Sequence, residues 1–261
     1  MTGGNSMTEQ EYRAADGVNK STLWNMKKTP AHYKYYIDHP QEETAAMRLG
    51  RAVHSLILTP EQYSSEFAVL PEGIDRRTKA GKEAFEEFMQ LHKGKEILSV
   101  SDASMIENMA AAVLACPEAV DLLKDTEREK PFFWNDDNGI LCKCRMDAVT
   151  TGRIVDIKSA QDADTDTFAR EALRYGYHVQ AAHYIDAYYK TISSKTPEWY
   201  FIVIEKSDPY CVNVLKADIG FLDYGFVIRE DLMQKLIKCQ KENSFPGYGM
   251  NELCLPGWVE A

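Results

Sequence analysis

The chain has 261 residues, of which 44% are hydrophobic and 27% charged, the balance of a globular protein able to bury one substantial core or two small ones. A formal net charge of −10 argues against a protein that coats nucleic acid, and no apolar run approaches the ~18 residues of a membrane span. The opening MTGGNSMTEQEYRAADG holds no apolar signal core, and the six cysteines (Cys116, Cys142, Cys144, Cys211, Cys239, Cys254) form neither a CxxC pair nor a zinc-like spacing with histidine, so free thiols in a reduced cytoplasm are expected.

Charge is unevenly placed along the chain. Residues 1–60 carry a balance of +1, and Lys20 to Ile37 holds four lysines and no acid, enough for a basic patch on an acidic protein. Residues 1–18 read as a polar, flexible leader. Ser21 is a candidate N-cap for a helix through Lys28, with Pro30 after it. Trp24 and the run Ala31-His-Tyr-Lys-Tyr-Tyr-Ile interleave aromatics with lysines, which suits stacking on a nucleic-acid strand and equally suits an amphipathic helix with its rings inward.

Thr44 to Leu58 reads as a helix with a stripe of Ala45, Leu49, Ala52, Val53 and Leu56, and His54 lies at the stripe's edge, where a lone histidine is ordinarily a boundary residue. A charged loop, Glu72 to Lys82, leads to a helix over 81–92. Another helix starts at Asp102 and runs past Pro117. Strands follow at Glu129–Asn135, Ile140–Val149 and Arg153–Ala160, joined by turns at Asp137-Asn138-Gly139 and Thr151-Gly152 into a meander.

The second turn sets a register in which paired residues sum to 303. Asp147 then faces Asp156, and Arg145 faces Lys158, while Cys144, Met146, Ala148, Val155, Ile157 and Ser159 make the opposite, core face. Two carboxylates directly opposite each other repel. A bound cation would resolve that repulsion. Surface hairpins also carry such charges on their wet face, and a one-residue slip would part the carboxylates, so the pattern alone leaves both readings open.

The acidic run Asp162-x-Asp164-x-Asp166 lacks the glycine and the closing glutamate of a calcium loop and reads instead as the start of a helix. That helix spans about Thr165 to Thr191, breaks near Gly176, and sets Tyr177, Gln180 and Tyr184 on one face. Glu198–Glu205 is a buried strand with Tyr210–Lys216 as its hairpin partner, and Gly220–Asn243 is a closing helix. The order indicates one α/β domain over 1–261 with a helical N-terminal part.

Asp147, then Asp156-Ile157-Lys158, then Tyr177-x-x-Gln180, preceded by GRAVHSLIL around His54, together resemble the PD-(D/E)xK nucleases. Within them the chain is most similar to the RecE-like exonucleases (exodeoxyribonuclease VIII), through KSTLWNMKKTPAHYKYY, GILCKCRMD and YGYHVQAAHYIDAYY, a likeness that covers Lys20 to Lys216. It implies a restriction-endonuclease-like core, a mixed central sheet flanked by helices. By the same resemblance His54, Asp147, Asp156 and the Ile157 carbonyl would ligate Mg²⁺, with Mn²⁺ able to substitute, Lys158 would position water or stabilise charge, and Gln180 would touch metal-bound water or phosphate. Glu129 is a further candidate ligand if the turn at Asp137–Gly139 has three residues, which pairs it with Asp147; a two-residue turn would face it away. Lys20, Ser21, Arg48, Arg51, Arg145 and Tyr177 are candidate DNA contacts. No iron–sulfur cluster is expected, because Cys142 and Cys144 lie within the strand beside Asp147.

The activity so implied is 5′→3′ exonuclease digestion of linear double-stranded DNA ends to leave 3′ overhangs. The implied setting is a bacterial or prophage-encoded cytoplasmic protein, a homo-oligomeric ring working with a single-strand annealing recombinase and no membrane. A structure-specific or single-strand endonuclease and a non-catalytic DNA-binding module are the alternatives.

Overall fold

Polar helix caps and alternating apolar residues carry most of the architecture. The structure, a computed structural model, describes residues 7, 9–39 and 42–255. In chain order come α1 (Glu9–Ala14), α2 (Lys20–Trp24), α3 (Pro30–Asp38), α4 (Ala45–Leu58) and α5 (Pro60–Glu66). A small unit follows, β1 (Phe67–Val69), α6 (Lys79–Leu91) and β2 (Glu96–Leu98), then α7 (Val100–Ala115) and α8 (Pro117–Leu123). The main body is β3 (Glu127–Asn135), β4 (Leu141–Val149), β5 (Arg153–Ala160), α9 (Thr165–Tyr175), α10 (Tyr177–Thr191), β6 (Glu198–Glu205), β7 (Val212–Lys216) and α11 (Ile219–Glu242).

The five main strands form one mixed sheet in the order β3-β4-β5-β6-β7. Within it only β5 and β6 run parallel, joined by the α9–α10 crossover, as a parallel pair requires. Both faces of the sheet are covered. On one face α2, α3, α10 and α11 bury Leu23, Met26, Ile185, Tyr188, Trp199 and Leu236. On the other, α4 and α7 bury Val53, Ile57, Ile106 and Met109 against Ala148 and Ile202. Among the described residues no helix is long and apolar enough to cross a membrane.

Local chemistry accounts for the boundaries. Thr44 caps α4 and Asp164 caps α9, while Gly176, at φ +72°, ends α9 and lets α10 start in a new direction. The residues before α3 differ from expectation. Asn19, not Ser21, is the N-cap, its side chain accepting from Thr22 N at 2.8 Å, and α2 is short because it passes into a 3-10 turn at Asn25–Lys27. The single helix expected past Pro117 is two, since proline has no N–H to continue α7 and instead opens α8.

Two expectations are overturned more deeply. Residues 9–18 of the supposed leader are ordered: α1 offers the Tyr12 and Arg13 carbonyls to the buried Lys143 ammonium, and Val18 bridges to Cys142. The flexible leader over 1–6 and at 8 lies outside the described residues. The core face predicted for β4 and β5 is also not one face. Cys144 and Met146 belong to the core under α10 and α11, whereas Ala148, Val155 and Ile157 belong to the core under α4 and α7. The change of side falls at Asp147, opposite Glu129, where the β3–β4 ladder skips a pair and Glu129 takes φ +48°.

Candidate active site

The site is a fork in the sheet. β4 and β5 pair at Ala148–Val155 and Val149–Ile154, the register expected from the Thr151-Gly152 turn, and then part. Past that point a side chain replaces the ladder: Ile157 N–H donates to Asp147 Oδ2 at 2.7 Å. The β3–β4 register places Asp136 against Ile140, the three-residue turn at Asp137–Gly139. It thereby sets Glu129 level with Asp147. A non-glycine residue at positive φ costs ~1–2 kcal/mol, a strain that tends to collect at functional sites.

α4 brings the third group. His54 Nε2 donates to Ile157 O at 2.9 Å, and its Nδ1 lies 3.5 Å from Asp147 Oδ1 and 3.8 Å from Glu129 Oε1. One ligand atom from each of His54, Glu129 and Asp147 fits within 4.8 Å, a candidate acidic and histidine metal site. Asp156, 1% exposed, lies beside this set with partners of its own. Gln180 Nε2 donates to its Oδ1, and the Lys158 ammonium pairs with its Oδ2. Lys158 Nζ in turn lies 4.8 Å over the Tyr177 ring.

The electrostatics follow from this packing. Burial works against the His54 cation, but Asp147 and Glu129 outweigh it and hold its pKa up at about 9. Burial would also raise the Asp147 carboxyl, yet His54, Lys158 and the Ile157 N–H together bring it down to about 2. For the tightly linked pair beside them, burial and the Asp147 charge push Asp156 up against the pull of Lys158, and Asp156 and Asp147 push Lys158 up in spite of its burial. An excess of carboxylate in a half-buried fork, with oxygen and imidazole donors converging, has the chemistry of a hard divalent cation site.

Residues 19–255 match the family described as "PDDEXK-like domain of unknown function (DUF3799)". The chain belongs to that family. Its fold is also similar to a crystal structure from Eubacterium rectale described as a "Putative exonuclease", with a TM-score of 0.66, 14% identity, and coverage of 96% of this chain and 92% of that one. At that identity the likeness is one of fold. No curated protein matches the chain.

In this PDDEXK-like domain the expected DNA contacts differ in their surroundings. Arg48 and Arg51 are committed to acids: both pair with Glu96, and Arg51 also with Glu43 at 3.1 Å. They tie α4 to β2. Arg145 Nε holds Glu129 Oε2 at 2.8 Å, so it acts on the site through that carboxylate. Ser21 is exposed in the first turn of α2. Lys20 and Tyr177 stand at the fork itself. The Lys20 ammonium donates to Tyr175 O, and burial with the nearby Lys158 charge brings its pKa down to about 7. Outside the fork opens a cleft of about 620 Å³, lined by Arg13, Arg128, Arg145, His54 and Glu129. Arg128 in that cleft was not anticipated: it donates to Leu58 O and Leu123 O, the carbonyl ends of two helices, and no sequence motif marks such a bond.

Proposed function

We propose that the chain is a metal-dependent DNA nuclease, and within that class a RecE-like exonuclease that degrades linear duplex DNA 5′→3′ and leaves 3′ overhangs. The observation that carries this reading is the fork, where Asp147, Asp156 and Lys158 of two adjoining strands meet His54 and Glu129. Glu129, Asp147 and His54 would hold the ion, with Asp156 and the Ile157 carbonyl beside them. The donor set favours Mg²⁺ and tolerates Mn²⁺. When bound, such an ion polarises a phosphate oxygen and makes water a better nucleophile at neutral pH.

The chain's own residues supply the rest. Without an ion, Asp156 and Asp147 hold Lys158 as an ammonium, which suits it to neutralise charge growing on the phosphate. Gln180 fixes the Asp156 carboxylate, and Tyr177 backs the Lys158 ammonium. Resemblance to the RecE-like enzymes supports a cytoplasmic homo-oligomeric ring and a single-strand annealing recombinase as partner. A ring suits an acidic chain, because only its channel lining need be basic.

The test is nucleotide release from a linear 5′-phosphorylated duplex with Mg²⁺ by wild type, Asp156→Ala and Lys158→Ala. Progressive release lost in both variants, with a closed circle left intact, is expected. No release with Mg²⁺ or Mn²⁺, or equal release by all three proteins, would overturn the reading.

A further inference from the structure

The open edge of β4 explains how an N-terminal lysine reaches the fork. Val18 N–H donates to Leu141 O and Val18 O accepts from Lys143 N–H, each at 2.9 Å, on the edge that β5 has left. Asn19 then caps α2, and Lys20 becomes its first residue, at the fork's mouth. Lys20 Nζ lies 5.6 Å from the ring centroids of both Trp24 and Tyr177. Lys158 Nζ lies over the same Tyr177 ring, so two lysine side chains share one aromatic residue.

More charge gathers beside them. Lys27 Nζ is 4.4 Å over Trp24, and the Arg174 guanidinium is 5.5 Å over Tyr175. Trp24 is held in place by close packing, since a Cβ at Gly176 would lie 2.8 Å from its ring. Asp156, the carboxylate nearest this group in the fork, is already engaged by Lys158 and Gln180. Four basic side chains set on three neighbouring rings, against the carboxylates of Asp156 and Glu171 and in a chain of net charge −10, make a local surplus that a polyanion would complete. Lysine beside an aromatic face is also the chemistry by which proteins grip a nucleic-acid strand, phosphate to ammonium and base to ring.

We propose that Lys20, Trp24, Lys27, Tyr175 and Tyr177 form the platform for the DNA strand entering the fork, with Lys20 holding the phosphate next to the one over Lys158 and the exposed Tyr175 stacking on a base. This assignment rests on the nuclease reading and names where its substrate lies. It requires no metal for binding, which separates its test from that of hydrolysis.

Binding of a fluorescent duplex with a single-stranded tail is measured by anisotropy in EDTA over a range of salt, for wild type, Lys20→Met, Lys20→Arg and Lys27→Met. Methionine keeps the stem on the rings and removes the charge. Each methionine variant is expected to weaken binding and to reduce the salt slope by about 1, the signature of one lost phosphate contact, while arginine at position 20 restores the slope. Lys235→Met, on the exposed ion pair with Asp231, serves as the control and leaves the slope unchanged. Wild-type slope in Lys20→Met, or no DNA binding by wild type, overturns the platform. Hydrolysis by wild type with equal slopes would keep the nuclease and remove the platform; a Lys20-dependent slope without hydrolysis would do the reverse.

Discussion

Replacing Asp147 by asparagine separates its charge from its shape. The side-chain amide oxygen of Asp147→Asn can still accept from Ile157 N–H, the bond that holds β5 at 2.7 Å, so the fork keeps its form. What goes is the carboxylate that lifts His54 from 6.5 to about 9. At 1.36 kcal/mol per unit, that lift corresponds to about 3 kcal/mol of preference for the charged imidazole, somewhat less because His54 is 24% exposed and Glu129 remains. A histidine whose folded pKa is raised stabilises the fold fully below pH 6.5 and loses that contribution as pH rises through about 9. Lys20 acts oppositely in the same range: held at about 7 against 10.5, it destabilises the fold at low pH and ceases to as pH rises. The readout is therefore the difference between the two proteins, in which Lys20 cancels. Urea unfolding of both in EDTA should show the wild type's advantage over the variant shrinking by about 2–3 kcal/mol between pH 6.5 and about pH 9.5. Asp147's own depressed pKa adds stability that is present throughout this range and fades only as pH falls from 3.8 through about 2, so it offsets the gap without giving it a slope here. A gap that stays constant across the range would refute the His54–Asp147 pairing as the source of the shift.

Two further perturbations probe the frame around the fork. Gly176→Ala forces a side chain into a left-handed residue and a methyl against the Trp24 ring, and should cost about 2–3 kcal/mol in urea unfolding with a changed tryptophan emission; unchanged emission would mean Trp24 does not rest there. Arg229 donates to Asp186 Oδ2 at 2.7 Å and to His183 Nδ1 at 3.2 Å in the core between α10 and α11. Arg229→Met strands the Asp186 carboxylate with Trp134 Nε1 as its remaining hydrogen-bond donor, and should cost about 3–5 kcal/mol; a loss under ~1 kcal/mol would show that water reaches Asp186.

What could be read from the chain alone was whatever is written in local chemistry. The apolar stripe after Thr44, Gly176 and the Thr151-Gly152 turn placed a helix, a helix break and a strand register because each acts over a few residues. The strands Arg153–Ala160 and Glu198–Glu205 stood out as buried β-type runs. The order of those elements indicated an α/β domain, and the family resemblance carried by Asp147, Asp156-Ile157-Lys158 and Gln180 implied its PDDEXK-like core. The face change at Asp147 escaped because period-two alternation assumes an unbroken pleat, and Glu129 at positive φ breaks it. Val18 escaped for another reason. One β-branched residue in a polar stretch carries no periodic signal, and its partner Cys142 is more than a hundred residues away.

The fork also explains why these residues share a site. A strand that leaves its neighbour exposes backbone groups that must find other partners. Here Ile157 N–H goes to Asp147, Ile157 O to His54, Leu141 O and Lys143 N–H to Val18, and Lys143 O to His183 Nε2 at 3.2 Å. Two of those substitutes, Asp147 and His54, are members of the candidate metal site, and a third, Val18, delivers Lys20 to its mouth. Opening the sheet and assembling the site are thus one structural event. Closing the fork with an ordinary ladder would satisfy the same backbone groups and leave no room for the carboxylate and imidazole to converge.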